Sequence, residues 1–253
     1  MHEIATSAGL DEALTAKLEP FDSFWEAPED VEKGYRSFGT FYRHNYLRFI
    51  PRDRRSRILV ISCGPGYFVN LLREEGYTEV LGIDSFPDKV AHAVRRGLNC
   101  RVARAFGFLA ANREPWDAIV AEQELNHLTK EEILRFLALC LDNLRDGGTL
   151  VVHAINGAHP IVGSESRWGN FDHYNAWTAY SLRQVMEHAG FREVTVFPLN
   201  LYVFYRNPLN YVALLWDTLL RLFFLVSFKL VGKSNTLFSK KIGAVGRKPA
   251  GSG

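Results

Sequence analysis

A seven-stranded, mostly parallel, doubly wound α/β sheet is what this 253-residue chain predicts, on three observations. Short apolar runs alternate with helical patterns from residue 57 to residue 200. The first run ends in two glycines one residue apart, and the second ends in an aspartate about twenty residues later. Capping and breaking residues stand where the helices need to start and stop.

Residues 1–56 are helical and aromatic (Phe21, Phe24, Trp25, Tyr35, Phe38, Phe41, Tyr42, Tyr46) and are expected to cover the open mouth of the sheet. The core runs over 57–198, with strands expected at 58–62, 79–83, 100–104, 117–122, 149–154 and 193–198. Ser85 is placed to cap the helix after the second strand, with Pro87 in its first turn and Gly97 past its end. Thr129 and Glu132 form a capping box for a helix carrying Ile133, Leu134, Phe136, Leu137 and Leu141, which stops before Gly147-Gly148. Ser181 with Gln184 opens another helix, closed by Gly190. Residues 199–241 read as a helical insertion, and 242–249 return to the core as its last strand.

The formal net charge is only +2, so charge supplies no argument for a nucleic-acid partner, and none is expected. It is uneven, with acids crowding residues 1–32 and a basic tail from Lys229 to Lys248. Cys63, Cys100 and Cys140 sit inside apolar patterns and read as reduced core residues, with neither disulfide nor zinc-ligand spacing, so no metal is expected. Residues 1–20 lack the basic start and apolar core of a secretory signal, and a cytoplasmic setting is expected.

The richest stretch is Ser62-Cys63-Gly64-Pro65-Gly66-Tyr67. A buried strand here hands the chain to a helix N-terminus, whose free N–H groups and partial positive charge favour an electron-rich ligand. Glycine lets the backbone approach that ligand closely. Asp84, followed by Ser85, ends the next apolar run, where a carboxylate is placed to accept both hydroxyls of a ribose. Together they predict a nucleoside-containing cofactor across the strand ends.

On these residues the chain resembles the class I S-adenosylmethionine-dependent methyltransferases, over roughly residues 35–249. The resemblance implies a Rossmann-like fold and S-adenosyl-L-methionine as cofactor. It implies that Gly64 and Gly66 lie under the methionine part, that Asp84 holds the ribose hydroxyls, and that Cys63, Pro65 and Ser85 join them in binding the cofactor. Arg104-Ala105-Phe106 would flank the adenine, with Gln123 and Glu124 beside the sulfonium. The run from Leu144 to Val152 resembles the family's entry into its fifth strand.

A narrower likeness begins at Asn156-Gly157-Ala158-His159-Pro160 and continues through Arg167-Trp168-Gly169-Asn170-Phe171-Asp172-His173, Ala176-Trp177-Thr178 and Ser181-Leu182. In order and spacing it is similar to methyltransferases of bacterial surface-polysaccharide pathways, and it implies an acceptor hydroxyl or phosphate in glycan assembly. The chain departs from the family at Val60, where an acid is usual, at Ser62, where glycine is, and at Arg104, where aspartate is. It also reads Gln123-Glu124-Leu125-Asn126-His127 in place of Asp-Val-Leu-Glu-His. Each buried donor left unpaired by a missing acid costs about 1–3 kcal/mol, unless Glu122 or Glu124 compensates. At the place where the resemblance puts the adenine, Arg104 would be a donor against an amino group that is also a donor.

Methyl transfer to a hydroxyl needs alignment of the acceptor and removal of its proton. Imidazole suits the second task, and His173 is the first candidate, with the neighbouring Asp172 to orient it. The alternative is a histidine that only fixes its loop. His127 reads as bonded to backbone after the fourth strand, and His153 as a satisfied core or edge residue. Arg167 and Trp168 suit a clamp on phosphate or carboxylate and stacking on a sugar ring; an ion pair of Arg167 with Glu165 or Asp172 is the alternative. Arg52, Arg54, Arg55 and Arg57 read as a solvated face.

The apolar stretch 209–231 is broken by Asp217, Arg221 and Lys229, which argues against a spanning helix. Asp217 and Arg221 are spaced to pair on a helix surface while the other faces pack on the domain, on a second copy in a homodimer, or on a membrane. Two readings of the whole chain follow. One is a methyltransferase acting on a small-molecule or saccharide acceptor; the other is a methyltransferase-shaped partner or scaffold, motivated by the replaced acids.

Overall fold

Ile58–Ile61 is buried at all four positions, as a parallel strand covered by helices on both faces must be. It is β1 of a computed structural model that describes residues 28–122, 124–170, 173–199 and 209–251. The other strands are β2 (Val80–Asp84), β3 (Cys100–Val102), β4 (Trp116–Ala121), β5 (Leu144–Ile155), β6 (Arg192–Leu199) and β7 (Lys241–Arg247). They form one sheet in the order β3-β2-β1-β4-β5-β7-β6. Strands β1 to β5 pair parallel, while β7 runs antiparallel to both β5 and β6. The seven strands and the doubly wound parallel core agree with the sequence reading.

Alternation along the strands feeds two cores, one on each face. Leu59, Ile61, Leu81, Ile83, Ile119 and Val152 join Phe136 and Leu137 on one side. Ile58, Val60, Val120 and Val151 join Phe68, Leu71 and Tyr46 on the other. The helices between strands are α2 (Tyr67–Glu74), α3 (Pro87–Arg95), α4 (Ala105–Ala111), α5 (Lys130–Asn143), α6 (Gly163–Trp168) and α7 (Ala179–His188). Before β1 lies α1 (Pro28–Asn45), and between β6 and β7 lies α8 (Leu209–Leu230). Phe21, Phe24 and Trp25 fall outside the described residues.

The capping box at Thr129 and Glu132 forms at α5. Two other helix starts need correction. Phe86, not Ser85, is the N-cap of α3, because an Asp84 carboxylate oxygen accepts the Phe86 N–H at 2.9 Å and turns the chain first. At α7 the cap is Thr178, whose side chain accepts from Ser181 N–H while Ser181 answers as the third helical residue. Strand β5 also starts earlier than expected. Leu144 pairs with Trp116, and a register shift carries the chain past Gly147, at φ 72°, before Thr149 pairs with Ala118.

Candidate functional site

The turn from β1 to α2 holds three left-handed residues in five: Ser62 (φ 56°), Gly64 (φ 53°) and Gly66 (φ 83°). Gly66 has a second reason to be glycine, since a Cβ there would meet Leu98 at 2.9 Å and Ala93 at 3.0 Å. Gly64 differs: nothing lies within 4 Å of where its Cβ would stand, so the backbone borders open space. Asp84 is buried beside it, and one carboxylate oxygen accepts the Gly64 N–H at 2.8 Å while the other accepts the Phe86 N–H. The carboxylate therefore ties the ends of β1 and β2 into one rim, and it faces the glycine turn.

Helix α1 closes over this rim through its tyrosines. Tyr35 Oη donates to the Pro65 carbonyl at 2.5 Å, and burial pushes its hydroxyl up to about 12. Tyr42 Oη donates to Glu122 Oε2 at 2.7 Å, just past the end of β4. Burial pushes the Glu122 carboxyl up to about 8; the Asp84 charge adds to this, while the Tyr42 hydrogen bond and Lys241 oppose it. Tyr46 Oη and His153 Nδ1 share a hydrogen bond of 2.8 Å on β5. Phe38 stacks on Tyr67 with ring centres 4.9 Å apart, which fastens α1 to α2.

His153 requires a correction. It is buried and its Nδ1 is paired, but its Nε2 has no partner among the described residues, so it is only half satisfied. Burial, helped by Lys241, holds its pKa well below the usual imidazole range, and it is neutral at physiological pH.

The loops after β4 and β5 are sewn together by Asn126. Its side-chain oxygen accepts the Ile155 N–H at 3.1 Å, and its carbonyl accepts those of Tyr174 at 2.8 Å and Asn175 at 3.2 Å. This brings His127 and His173 into edge contact, ring centres 4.8 Å apart. His173 Nδ1 lies 2.9 Å from the Ser166 carbonyl. A carbonyl only accepts, so Nδ1 carries the proton and Nε2 of the neutral ring keeps its lone pair. Arg167 stacks over the exposed Trp168 ring at 4.1 Å; of the two acids weighed as ion-pair partners, Asp172 lies outside the described residues.

Asn156 is structural. Its Nδ2 donates to the carbonyls of Leu237 at 3.0 Å and Ser239 at 2.7 Å, and its Oδ1 accepts the Ala158 N–H. His159 Nδ1 accepts the N–H groups of Ile161 and Val162, both at 3.2 Å. Of the anticipated cofactor residues, Cys63 and Phe106 turn their side chains into the core, and Phe106 packs edge-on to Phe136. Ala105 opens α4, with Arg104 as its N-cap. Ser85 is partly buried between β2 and α3. Gln123 and Asp172 lie outside the described residues, and so does the side chain of Glu124. The sequence reading gave Glu122 only a compensating role and gave Tyr35 and Tyr42 none beyond capping. The spacing of Tyr35 and Tyr42 along α1, with Tyr46 just past its end, was the available signal.

A family profile described as a methyltransferase domain matches residues 34–196. The chain belongs to that family. Solved structures agree in fold. A methyltransferase from Archaeoglobus fulgidus that depends on S-adenosylmethionine is 18% identical, with a TM-score of 0.62 over 88% of this chain and 100% of its own. The plantazolicin methyltransferase BamL, solved with a triazolic desmethylPZN analogue and S-adenosylhomocysteine, is 16% identical at a TM-score of 0.57, covering 94% of each chain. Phosphoethanolamine N-methyltransferase 2 of Haemonchus contortus, solved with S-adenosylmethionine, is 14% identical at 0.54, over 87% of this chain and 58% of its own. No curated protein matches this methyltransferase.

The residues present fit S-adenosylmethionine. Open space beside Gly64 admits a ligand against backbone, the buried Asp84 carboxylate holds the Gly64 N–H there, and the half-buried Glu122 supplies an acid that a cationic amine would ionise. That acid directly precedes the 123–127 stretch, where the chain departs from the family pattern. It comes from the end of β4, held by a tyrosine from α1.

Proposed function

We propose that this methyltransferase methylates a hydroxyl or phosphate oxygen of a saccharide acceptor, with His173 taking the hydroxyl proton. S-adenosylmethionine, once bound, supplies an electrophilic methyl group. Gly64, Gly66, Asp84 and Glu122 would hold it, while the loop after β5 presents the acceptor. The observation that carries the reading is the His173 ring, fixed by the Ser166 carbonyl so that Nε2 is the basic nitrogen. Arg167 and Trp168, stacked on the same loop, match an acceptor with an anionic group and a sugar face. The order of motifs from Asn156 to Phe191 supports a role in glycan assembly, and three cysteines buried as thiols support a cytoplasmic setting.

Two measurements test this. Calorimetry with S-adenosylhomocysteine is expected to give saturable heat; none at millimolar ligand would refute cofactor use and leave the scaffold reading. His173→Gln is expected to keep that heat and lose methyl transfer to a saccharide by about 10²–10⁴-fold. Unchanged transfer would remove His173 from the chemistry.

A further inference from the structure

Helix α8 wears its polarity inside out. Its acidic and basic pair, Asp217 and Arg221, joined at 2.9 Å, lies toward the domain: the Asp217 side chain is only 13% exposed. Phe224 and Phe228 share that side and meet Phe238, with ring centres 5.7 and 4.8 Å away. The opposite face is a continuous apolar stripe of Leu209, Val212, Leu215, Trp216, Leu219, Leu222, Phe223, Val226 and Leu230, every one at least half exposed. Over a helix about 33 Å long, that exposes roughly 1,000 Å² of apolar surface, beyond the 300–600 Å² usual for the largest patch on a monomer. On the stripe's border, Thr218 donates its hydroxyl to the Leu214 carbonyl at 2.8 Å, so that group needs no water.

We propose that α8 lies in the plane of an anionic lipid bilayer and seats this methyltransferase on it. Three features choose lipid over a second copy of the chain. Lys229 and Lys233 are exposed at the end of the stripe, and no acid occurs after Asp217 in the sequence, so this region offers cations to an anionic surface. Tyr211 and Trp216 are exposed on the helix, and such rings favour the boundary between headgroups and hydrocarbon. The charged pair faces the domain at mid-helix, which suits a helix lying on the membrane with its protein side out of the lipid.

The position of α8 gives docking a consequence. It joins the carboxyl end of β6, which runs parallel to β5, to the start of β7. That is the end of the sheet where the glycine turn and the loop after β5 lie. Phe224 packs against His159 of that loop, ring centres 6.2 Å apart, and the loop goes on to expose Ile161 and Trp168. A docked α8 therefore holds the mouth of the site at the lipid surface. This last step rests on the proposed function and makes the acceptor a membrane-anchored saccharide.

The test uses the full chain with preformed vesicles of phosphatidylcholine, with or without about 30% phosphatidylglycerol. Co-sedimentation is expected with the anionic vesicles, falling at least tenfold for Leu219→Glu/Phe223→Glu. Brominated acyl chains are expected to quench the wild type, and Trp216→Phe to lose most of that quenching. Retained S-adenosylhomocysteine binding by the double variant shows that it folds. Equal sedimentation of wild type and double variant, or a stable wild-type dimer that ignores vesicles and becomes monomeric in the variant, overturns the proposal. Vesicle binding without any S-adenosylhomocysteine heat would leave the docking intact and sink only the enzymatic reading.

Discussion

Replacing Glu122 by glutamine should flatten the pH dependence of stability of the ligand-free protein. Burial raises this carboxyl from 4.5 to about 8, and the Asp84 charge pushes the same way against Tyr42 and Lys241. Between those limits the folded protein keeps a proton that the unfolded chain has released. Stability is then fully present below about pH 4.5, falls as pH rises, and is lost above about pH 8. At 1.36 kcal/mol per pH unit the span caps the effect at roughly 5 kcal/mol. Water entering the cleft lowers it, and about 2–4 kcal/mol is expected. Glutamine keeps an oxygen to accept the Tyr42 hydroxyl, so the variant removes titration and little else. Urea unfolding at about pH 5 and about pH 9 for both proteins isolates the term, because other groups cancel in the difference. Equal pH slopes for variant and wild type would refute the account of Glu122.

Gly66→Ala combines a left-handed φ of 83° with contacts of 2.9 and 3.0 Å to Leu98 and Ala93, and should cost about 2–4 kcal/mol, read as a fall in thermal midpoint. Asp84→Asn keeps one acceptor but turns an amide N–H toward a backbone N–H; stability should fall by about 1–3 kcal/mol in urea, and S-adenosylhomocysteine affinity at least tenfold. Asn156→Ala leaves the carbonyls of Leu237 and Ser239 without its amide and should cost about 2–4 kcal/mol, with cofactor affinity unchanged by calorimetry. A loss of affinity there would show that Asn156 does more than hold β7 to its loop.

The parallel core was legible because buried strands read as unbroken apolar runs, and the expected strand positions fall within a few residues of those found. What escaped was decided by partners distant in sequence. Nothing near His153 says that its side chain pairs with Tyr46, 107 positions earlier, or that Nε2 has no partner among the described residues. Ser85 and Ser181 are both good caps by type. Asp84 takes the turn before Ser85 can, and the bridge from Asn156 to Trp177 fixes the chain so that Thr178 caps α7. Ser62 is instructive in the other direction. Its φ of 56° explains why glycine is usual in the family there, since a left-handed turn is needed whether or not glycine supplies it.

Helix α8 shows most directly what periodicity leaves undecided. Asp217 and Arg221, four apart, put both charges on one face, and the sequence reading took that face as the wet one. Spacing determines which residues share a face; it says nothing about which face meets the domain. The fold decides, through Phe224, which lies close to Asp217 and Arg221 around the helix and finds Phe238 and His159. Once Phe224 is anchored, the charges must satisfy each other beside the protein, and the leucines and Trp216 are left facing out. For a helix in water that arrangement is the costly one, because hydrophobic burial is forgone along its whole length. An element so arranged makes physical sense only with a second apolar medium on its outer side.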